Sequence, residues 1–344
     1  MKDIKAYLRK NILELKPYSS ARDEYQGGEA VFLDANENPY REKYNRYPDP
    51  LQRKLKDRIS EIKGVPAGNI FLGNGSDEPI DIVIRAFCDP GKDNIVAIDP
   101  TYGMYVVAAD INNVEYRKVR LNDDFSLDAS KVLQACDSNT KIIFLCSPNN
   151  PTGNLLDRNE IVRIVEAFNG IVVIDEAYID FAEAKSFIDD LPNYPNLVIL
   201  HTLSKAWGLA AVRLGMAFAD KYIISVFNKI KYPYNINQLT QEYVYESLQL
   251  IEKKEKWVKQ INQNRLSLMN ELKALSLVKK IYPSDSNFFL IKVDEPNKVY
   301  DYLVDNKIIV RNRTNIALCE GCLRITVGTE IENKALIESL IKYK

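Results

Sequence analysis

Between about residues 70 and 205 the chain alternates short apolar runs with longer segments of helical period. The apolar runs are "NIFLG" (69–73), "NIVAI" (94–98), "KIIFLC" (141–146), "GIVVID" (170–175) and "NLVIL" (196–200). Between them lie "SDEPIDIVIRAF" (76–87) and "RNEIVRIVEAF" (158–168), whose apolar residues recur every three or four positions. Strands apolar on both faces and separated by helices predict an α/β fold, a largely parallel sheet covered by helices on both sides. Ligands of such sheets gather at the carboxyl ends of the strands. Ser76, Asn150, Asp175 and Lys205 each follow one of the apolar runs.

The pattern changes after residue 235. From Asn235 to Tyr282 there is no Gly or Pro, and Leu239, Tyr243, Leu248, Trp257, Ile261 and Leu268 fall near helical spacing. One or two long helices are expected there, leading into a smaller α+β domain with "NFFLIKV" (287–293) and "CLRITVG" (322–328) as strands. The predicted division is an N-terminal arm with a short helix over 1–35, a large domain over 36–238 and a small domain over 239–344. At 344 residues the chain exceeds one comfortable core, which agrees with two domains. Neither an internal repeat nor a low-complexity segment is present.

Composition narrows the function by exclusion. A net charge of −1 provides no overall field for nucleic acid or an anionic membrane. The first 18 residues carry charges throughout without an apolar signal core, and no apolar run approaches the roughly 18 residues of a bilayer span. A cytoplasmic protein is expected. Five cysteines without a regular framework suit a reducing compartment. Cys319 and Cys322 form a CxxC, but zinc wants about four ligands and the single histidine, His201, lies far off in sequence; no metal is expected.

The segment "TLSKAWGLAAVRLG" (202–215) sets Lys205 among small and apolar residues. Desolvation and nearby cations lower a lysine's pKa and permit Schiff-base formation with an aldehyde. That suits pyridoxal phosphate; a lysine snorkelling to the surface is the competing reading. Asp175 closes an apolar strand, where a carboxylate is costly unless it meets a cation. The pyridinium nitrogen of pyridoxal phosphate is such a cation, although a strand-end cap reads equally well. Tyr178 and Asn150, the latter in the turn "SPNNPTGN", are placed to reach the cofactor's phenolic oxygen, or else are a core tyrosine and a turn residue. "GNGSDE" (73–78) leads into a helix whose first N–H groups, with the Ser76 hydroxyl, form a phosphate site; Ser76 as an N-cap is the rival. Ser204 and Arg213 are candidates for further phosphate contacts.

Taken together, these segments resemble the fold-type I pyridoxal phosphate enzymes of the aspartate aminotransferase superfamily, within it the branch acting on histidinol phosphate. The resemblance runs through "LKPYSSAR" (15–22), "LDANENP" (33–39), "YPDP" (47–50), "DPTYGMY" (99–105), "VIDEAYIDF" (173–181), "SNFFL" (286–290) and "CLRITVG", beside the segments already quoted. His201 departs from it, since relatives usually carry arginine before Thr-Leu-Ser-Lys. The resemblance implies a seven-stranded large domain and pyridoxal 5'-phosphate as cofactor. The implied reaction moves an amino group between L-histidinol phosphate plus 2-oxoglutarate and imidazole acetol phosphate plus L-glutamate. It implies Lys205, Asp175 and Tyr178 as catalytic residues, Tyr102 stacked on the ring, and Gly75, Asp77 and Thr202 among the cofactor contacts. Arg324, Arg311, Tyr18, Asn36 and Asn287 match substrate positions, with Arg313 close enough to stand in for Arg311. Tyr47 matches a tyrosine that reaches a neighbouring subunit's cofactor phosphate, which implies a homodimer with shared sites. Threonine-phosphate decarboxylation and aromatic amino acid aminotransfer share these features and differ only in the substrate pocket. A cofactor-binding regulator would need room for a DNA-binding module before the first motif, where only about 30 residues stand.

Overall fold

A computed structural model describes residues 2–18, 30–40 and 43–343. Ser19 to Arg22 of the "LKPYSSAR" motif therefore lie outside the described residues. Seven strands form the large sheet: β1 (Ile70–Asn74), β2 (Asn94–Asp99), β3 (Glu115–Arg120), β4 (Thr140–Cys146), β5 (Ile171–Asp175), β6 (Leu197–Thr202) and β7 (Leu214–Ala219). Their spatial order is β1-β7-β6-β5-β4-β2-β3. The run from β6 to β3 is parallel, and β7 lies antiparallel to both β1 and β6.

Two of these strands carry no strand-like signal in the sequence. β3, "EYRKVR", sits at the sheet edge, and Val119 is its one buried residue. β7, "LGMAFA", is wholly buried but lacks β-branched residues, so its sequence does not announce a strand. The other five strands fall on the apolar runs. Period-two alternation divides their side chains between two cores. Val96, Ile98, Ile143, Leu145, Val172 and Ile174 face the helix Arg158–Ala167. Ile95, Ala97, Ile142, Phe144, Ile171 and Val173 face the helices Asp77–Phe87 and Lys221–Ile230.

The segment after residue 235 forms two helices, Gln238–Ser247 and Ile251–Lys273. Val244 and Leu248 bury against the large sheet's core, whereas Leu268 and Leu272 bury against a second sheet. That sheet is antiparallel, in the order β10-β11-β9-β8, with β8 Val278–Ile281, β9 Phe288–Val293, β10 Arg311–Asn312 and β11 Cys322–Thr326. Its two faces differ in partner. Phe289, Ile291, Leu323 and Ile325 pack on the small sheet's own helices; Leu290 and Cys322 join the large sheet's core. Alternation then points Arg324 of β11 at the large sheet. The arm's short helix, Lys10–Glu14, is held by Arg9, which pairs with Asp89 at 3.2 Å and donates to the Arg85 carbonyl.

Candidate active site

The turns that leave the carboxyl ends of β1, β2, β4, β5 and β6 meet around one cavity. Its walls are Ser76, Asp77, Tyr102, Cys146, Asn150, Asp175, Ala177, Tyr178, Thr202, Ser204, Lys205, Ala210 and Arg213. Ser76 precedes the helix Asp77–Phe87, but its side chain makes no cap hydrogen bond and faces the cavity. Gly75 has φ +77°, and a Cβ built on it would lie 2.4 Å from Arg213 Nη2. Glycine is thus what lets that guanidinium close over the loop. Gly75 N–H donates to the Arg213 carbonyl at 2.9 Å, and Arg213 Nη2 lies 3.7 Å from Asp77 Oδ2. A helix start, a hydroxyl and a guanidinium at one spot form a cradle for a phosphate group. Thr202 and Ser204 adjoin it, with Thr202 Oγ1 donating to Ser204 Oγ at 3.0 Å.

Asp175 ends β5 and is buried. Its Oδ2 accepts from Tyr105 Oη at 2.7 Å and its Oδ1 from Ala177 N at 3.0 Å. Burial pushes the carboxyl up to about 6, against the pull of these two donors and of the Lys205 charge. Lys205 stands in the exposed mouth of the cavity, while its neighbours Ala206 and Trp207 are buried. Its ammonium sits 5.6 Å from the Tyr178 ring centre. Desolvation by the walls lowers the Lys205 pKa, Arg324 and Arg213 lower it further, and Asp175 opposes them. Asn150 joins two sides of the site: its Nδ2 donates to Tyr178 Oη at 3.4 Å and its Oδ1 accepts from Arg324 Nη1 at 2.5 Å. Tyr102 Oη donates to Asp77 Oδ1 at 3.1 Å.

Residues 24–340 match the family model described as aminotransferase class I and II. The chain belongs to this family. It is 59% identical over 345 residues to a histidinol-phosphate aminotransferase of Bacteroides thetaiotaomicron, covering 100% of both chains. It is also 57% identical to one of Cytophaga hutchinsonii, covering 98% of each. Among solved structures, the histidinol-phosphate aminotransferase of Sinorhizobium meliloti, in complex with pyridoxal-5'-phosphate, superposes with a TM-score of 0.79. That match has 23% identity over 86% of this chain and 82% of the other.

In this aminotransferase Arg324 leans over Phe288, 5.0 Å from the ring centre, and its Nε is buried without a hydrogen-bond partner. Burial, then the Arg313 charge, lowers its pKa to about 10. Arg311 lies directly across the β10–β11 ladder from Arg324. The remaining candidates lie outside the lysine cavity. Asn36 and Tyr47 line a separate cavity with Tyr44, Tyr234 and Leu239, where Tyr47 stacks on Tyr234 at 4.4 Å. Tyr18 is exposed, and the Asn287 carbonyl accepts from Val327 N. Cys319 and Cys322 are free thiols, buried, and burial raises the pKa of both.

Sequence reasoning missed Tyr105 and Cys146. Tyr105 stood in "DPTYGMY", three residues after Tyr102, and spacing alone assigns it to the apolar face of a helix. Its hydroxyl bond to Asp175 appears only once β2 and β5 share a sheet. Cys146 lies beside Asp175 in the parallel register, which its place at a strand end does not reveal. No helix among the described residues is long and apolar enough to cross a membrane.

Proposed function

We propose that this aminotransferase moves an amino group between L-histidinol phosphate plus 2-oxoglutarate and imidazole acetol phosphate plus L-glutamate, with pyridoxal 5'-phosphate as its cofactor. The observation that carries the reading is the placement of Arg324, bonded to a cavity residue and neighboured by Arg311 and Arg313. Both amino donors bring an anion to that place, a carboxylate or a phosphate ester, and a guanidinium accepts either in a bidentate manner. Full-length identity to proteins of that name supports the same substrate.

The donor set fits the cofactor. The Gly75–Ser76–Arg213 cradle suits its phosphate. Asp175 has only neutral donors besides the distant Lys205 charge, so a ring N–H⁺ would offset its burial. When bound, the cofactor supplies an electron sink for the bonds at the substrate carbon. Asp175 would hold the ring proton, Tyr102 would cover the ring, and Asn150 Nδ2 and Tyr178 Oη would donate to the phenolic oxygen. Lys205 would anchor the cofactor through its Nζ. Its Nζ would also be the group that takes and returns the proton at the substrate carbon that bears nitrogen. Desolvation and the Arg324 charge lower its pKa, which favours the unprotonated Nζ that proton transfer needs.

Tyr47, which lines a cavity other than its own chain's lysine cavity, serves the site of a second copy in a homodimer. The arm, large and small domains divide at 35/36 and about 238/239, although the helix that begins at Gln238 still packs on the large sheet's core through Val244. Five free thiols support a cytoplasmic location. The test is product analysis of purified protein with histidinol phosphate, pyridoxal phosphate and 2-oxoglutarate: glutamate and imidazole acetol phosphate should form. Carbon dioxide from threonine phosphate, or faster turnover of phenylalanine, would reject the substrate. Borohydride should fix the cofactor covalently on Lys205, and label on another lysine would reject the anchor.

A further inference from the structure

We infer that Asn235 is a positioning residue for the cofactor's phosphate, holding the Glu78 carboxylate away from the cradle; the inference rests on the cradle reading above. The Ser76 hydroxyl does not cap the helix Asp77–Phe87, which suits first-turn N–H groups reserved for an anion. An acid in that turn is drawn to the same N–H groups and repels a phosphate placed there. Glu78 is such an acid. Its carboxylate is turned back to the strand instead. Oε2 accepts from Asn74 N at 2.5 Å, and Asn235 Nδ2 donates to Oε1 and Oε2, each at 3.1 Å. The same amide nitrogen donates to the Leu72 carbonyl at 2.9 Å, so Asn235 ties the end of β1 to the helix that follows. On the opposite flank β7 backs the turn closely, since a Cβ on Gly215 would collide with the Gly75 and Ser76 backbone. The Glu78 flank is therefore the adjustable one.

Asn235 is itself anchored. Its Oδ1 accepts from Gln52 Nε2 at 3.3 Å, and that nitrogen also donates to the Pro50 carbonyl at 2.7 Å. The buried Lys231 Nζ donates to the carbonyls of Pro50 at 2.8 Å and Pro233 at 2.7 Å. These bonds fix the segment that carries Asn235 against the turn after Tyr47, and so aim its amide at Glu78. Without Asn235 the carboxylate loses a donor and turns towards the first-turn N–H groups, against the phosphate.

The experiment titrates the cofactor-free full chain with pyridoxal 5'-phosphate and with pyridoxal, which lacks the phosphate, and reads the absorbance of the lysine-bound cofactor. In Asn235→Ala, Kd for pyridoxal 5'-phosphate should rise about 10-fold, the weight of one hydrogen bond to a charged group. Kd for pyridoxal should change less than about twofold by the same reasoning. Asn235→Asp, equal in size, should weaken phosphate-dependent binding at least as much, because its own charge repels Glu78. It decides the matter if the alanine variant does not fold. Adding Glu78→Gln to Asn235→Ala should restore most of the lost affinity, since a neutral amide does not repel the phosphate. Equal weakening of both ligands, no weakening of either, or no recovery in the double variant would each overturn the assignment. Arg213→Met tests the cradle itself. If it leaves the preference for pyridoxal 5'-phosphate over pyridoxal intact, the cradle reading fails and the inference with it. If Arg213→Met lowers that preference and Asn235→Ala does not, the inference alone fails.

Discussion

Replacing Asp175 by asparagine should cost at least about two orders of magnitude in turnover, the scale of losing a preorganised electrostatic group, while cofactor binding persists. The amide can still accept from Tyr105 and Ala177, so the pocket keeps its shape, but it cannot hold a ring proton as a carboxylate does. The same substitution should act in the opposite sense on the cofactor-free fold. Burial raises the Asp175 pKa from 3.8 to about 6. A carboxyl raised in the folded state costs stability above its unfolded pKa. The cost grows between pH 4 and 6 and is constant beyond, at roughly 3 kcal/mol by linkage. Cofactor-free Asp175→Asn should therefore melt no lower than the unsubstituted protein at pH 7.5, with any advantage fading towards pH 4. Added pyridoxal phosphate should raise the melting temperature of the unsubstituted protein by more. Near-normal turnover in the variant would reduce Asp175 to a strand-end cap.

What could be read in the sequence follows from which interactions are local. The five strands whose ends carry Ser76, Tyr102, Asn150, Asp175 and Lys205 are continuous apolar runs, so the edge where the site forms was legible. β7 was not, because a short buried strand of small residues is specified by the neighbours it fits between, β1 and β6, 123 positions apart at Asn74 and Leu197. The helical stretch after Asn235 was legible as helix, yet periodicity could not show that it divides its burial between two cores. Within the site, the residues proposed to touch the cofactor occupy recognisable segments. Those that act through another residue do not: Tyr105 reaches Asp175 across 70 positions, and Asn150 reaches Arg324 across 174. That Arg311 lies opposite Arg324 is a fact of strand register, which no local pattern encodes.

Arg324→Ala should impair both half-reactions and leave the cofactor in place. The guanidinium now donates to Asn150 and lies over Phe288 at the cavity edge. Its removal leaves either substrate anion without its partner, a cost on the order of 2–5 kcal/mol, or about 30-fold and upward in kcat/KM. Arg324→Lys keeps the charge but loses the planar fork, so it should recover only part of the loss. The groups proposed to hold the cofactor lie elsewhere, Lys205 and the cradle of Gly75, Ser76 and Arg213, so its absorbance should survive in both variants. A second consequence separates this role from simple packing. Arg324 is the foremost charge lowering the Lys205 pKa. Without it that pKa rises, Nζ is freed of its proton only at higher pH, and the acid limb of the pH–rate profile should move towards alkaline values in Arg324→Ala but not in Arg324→Lys. Single-turnover rates with glutamate and with histidinol phosphate, measured across pH, read all of these effects. If Arg324→Ala impaired glutamate alone and spared histidinol phosphate, the anion site would not be shared, and the phosphate would belong to Arg311 and Arg313 without Arg324.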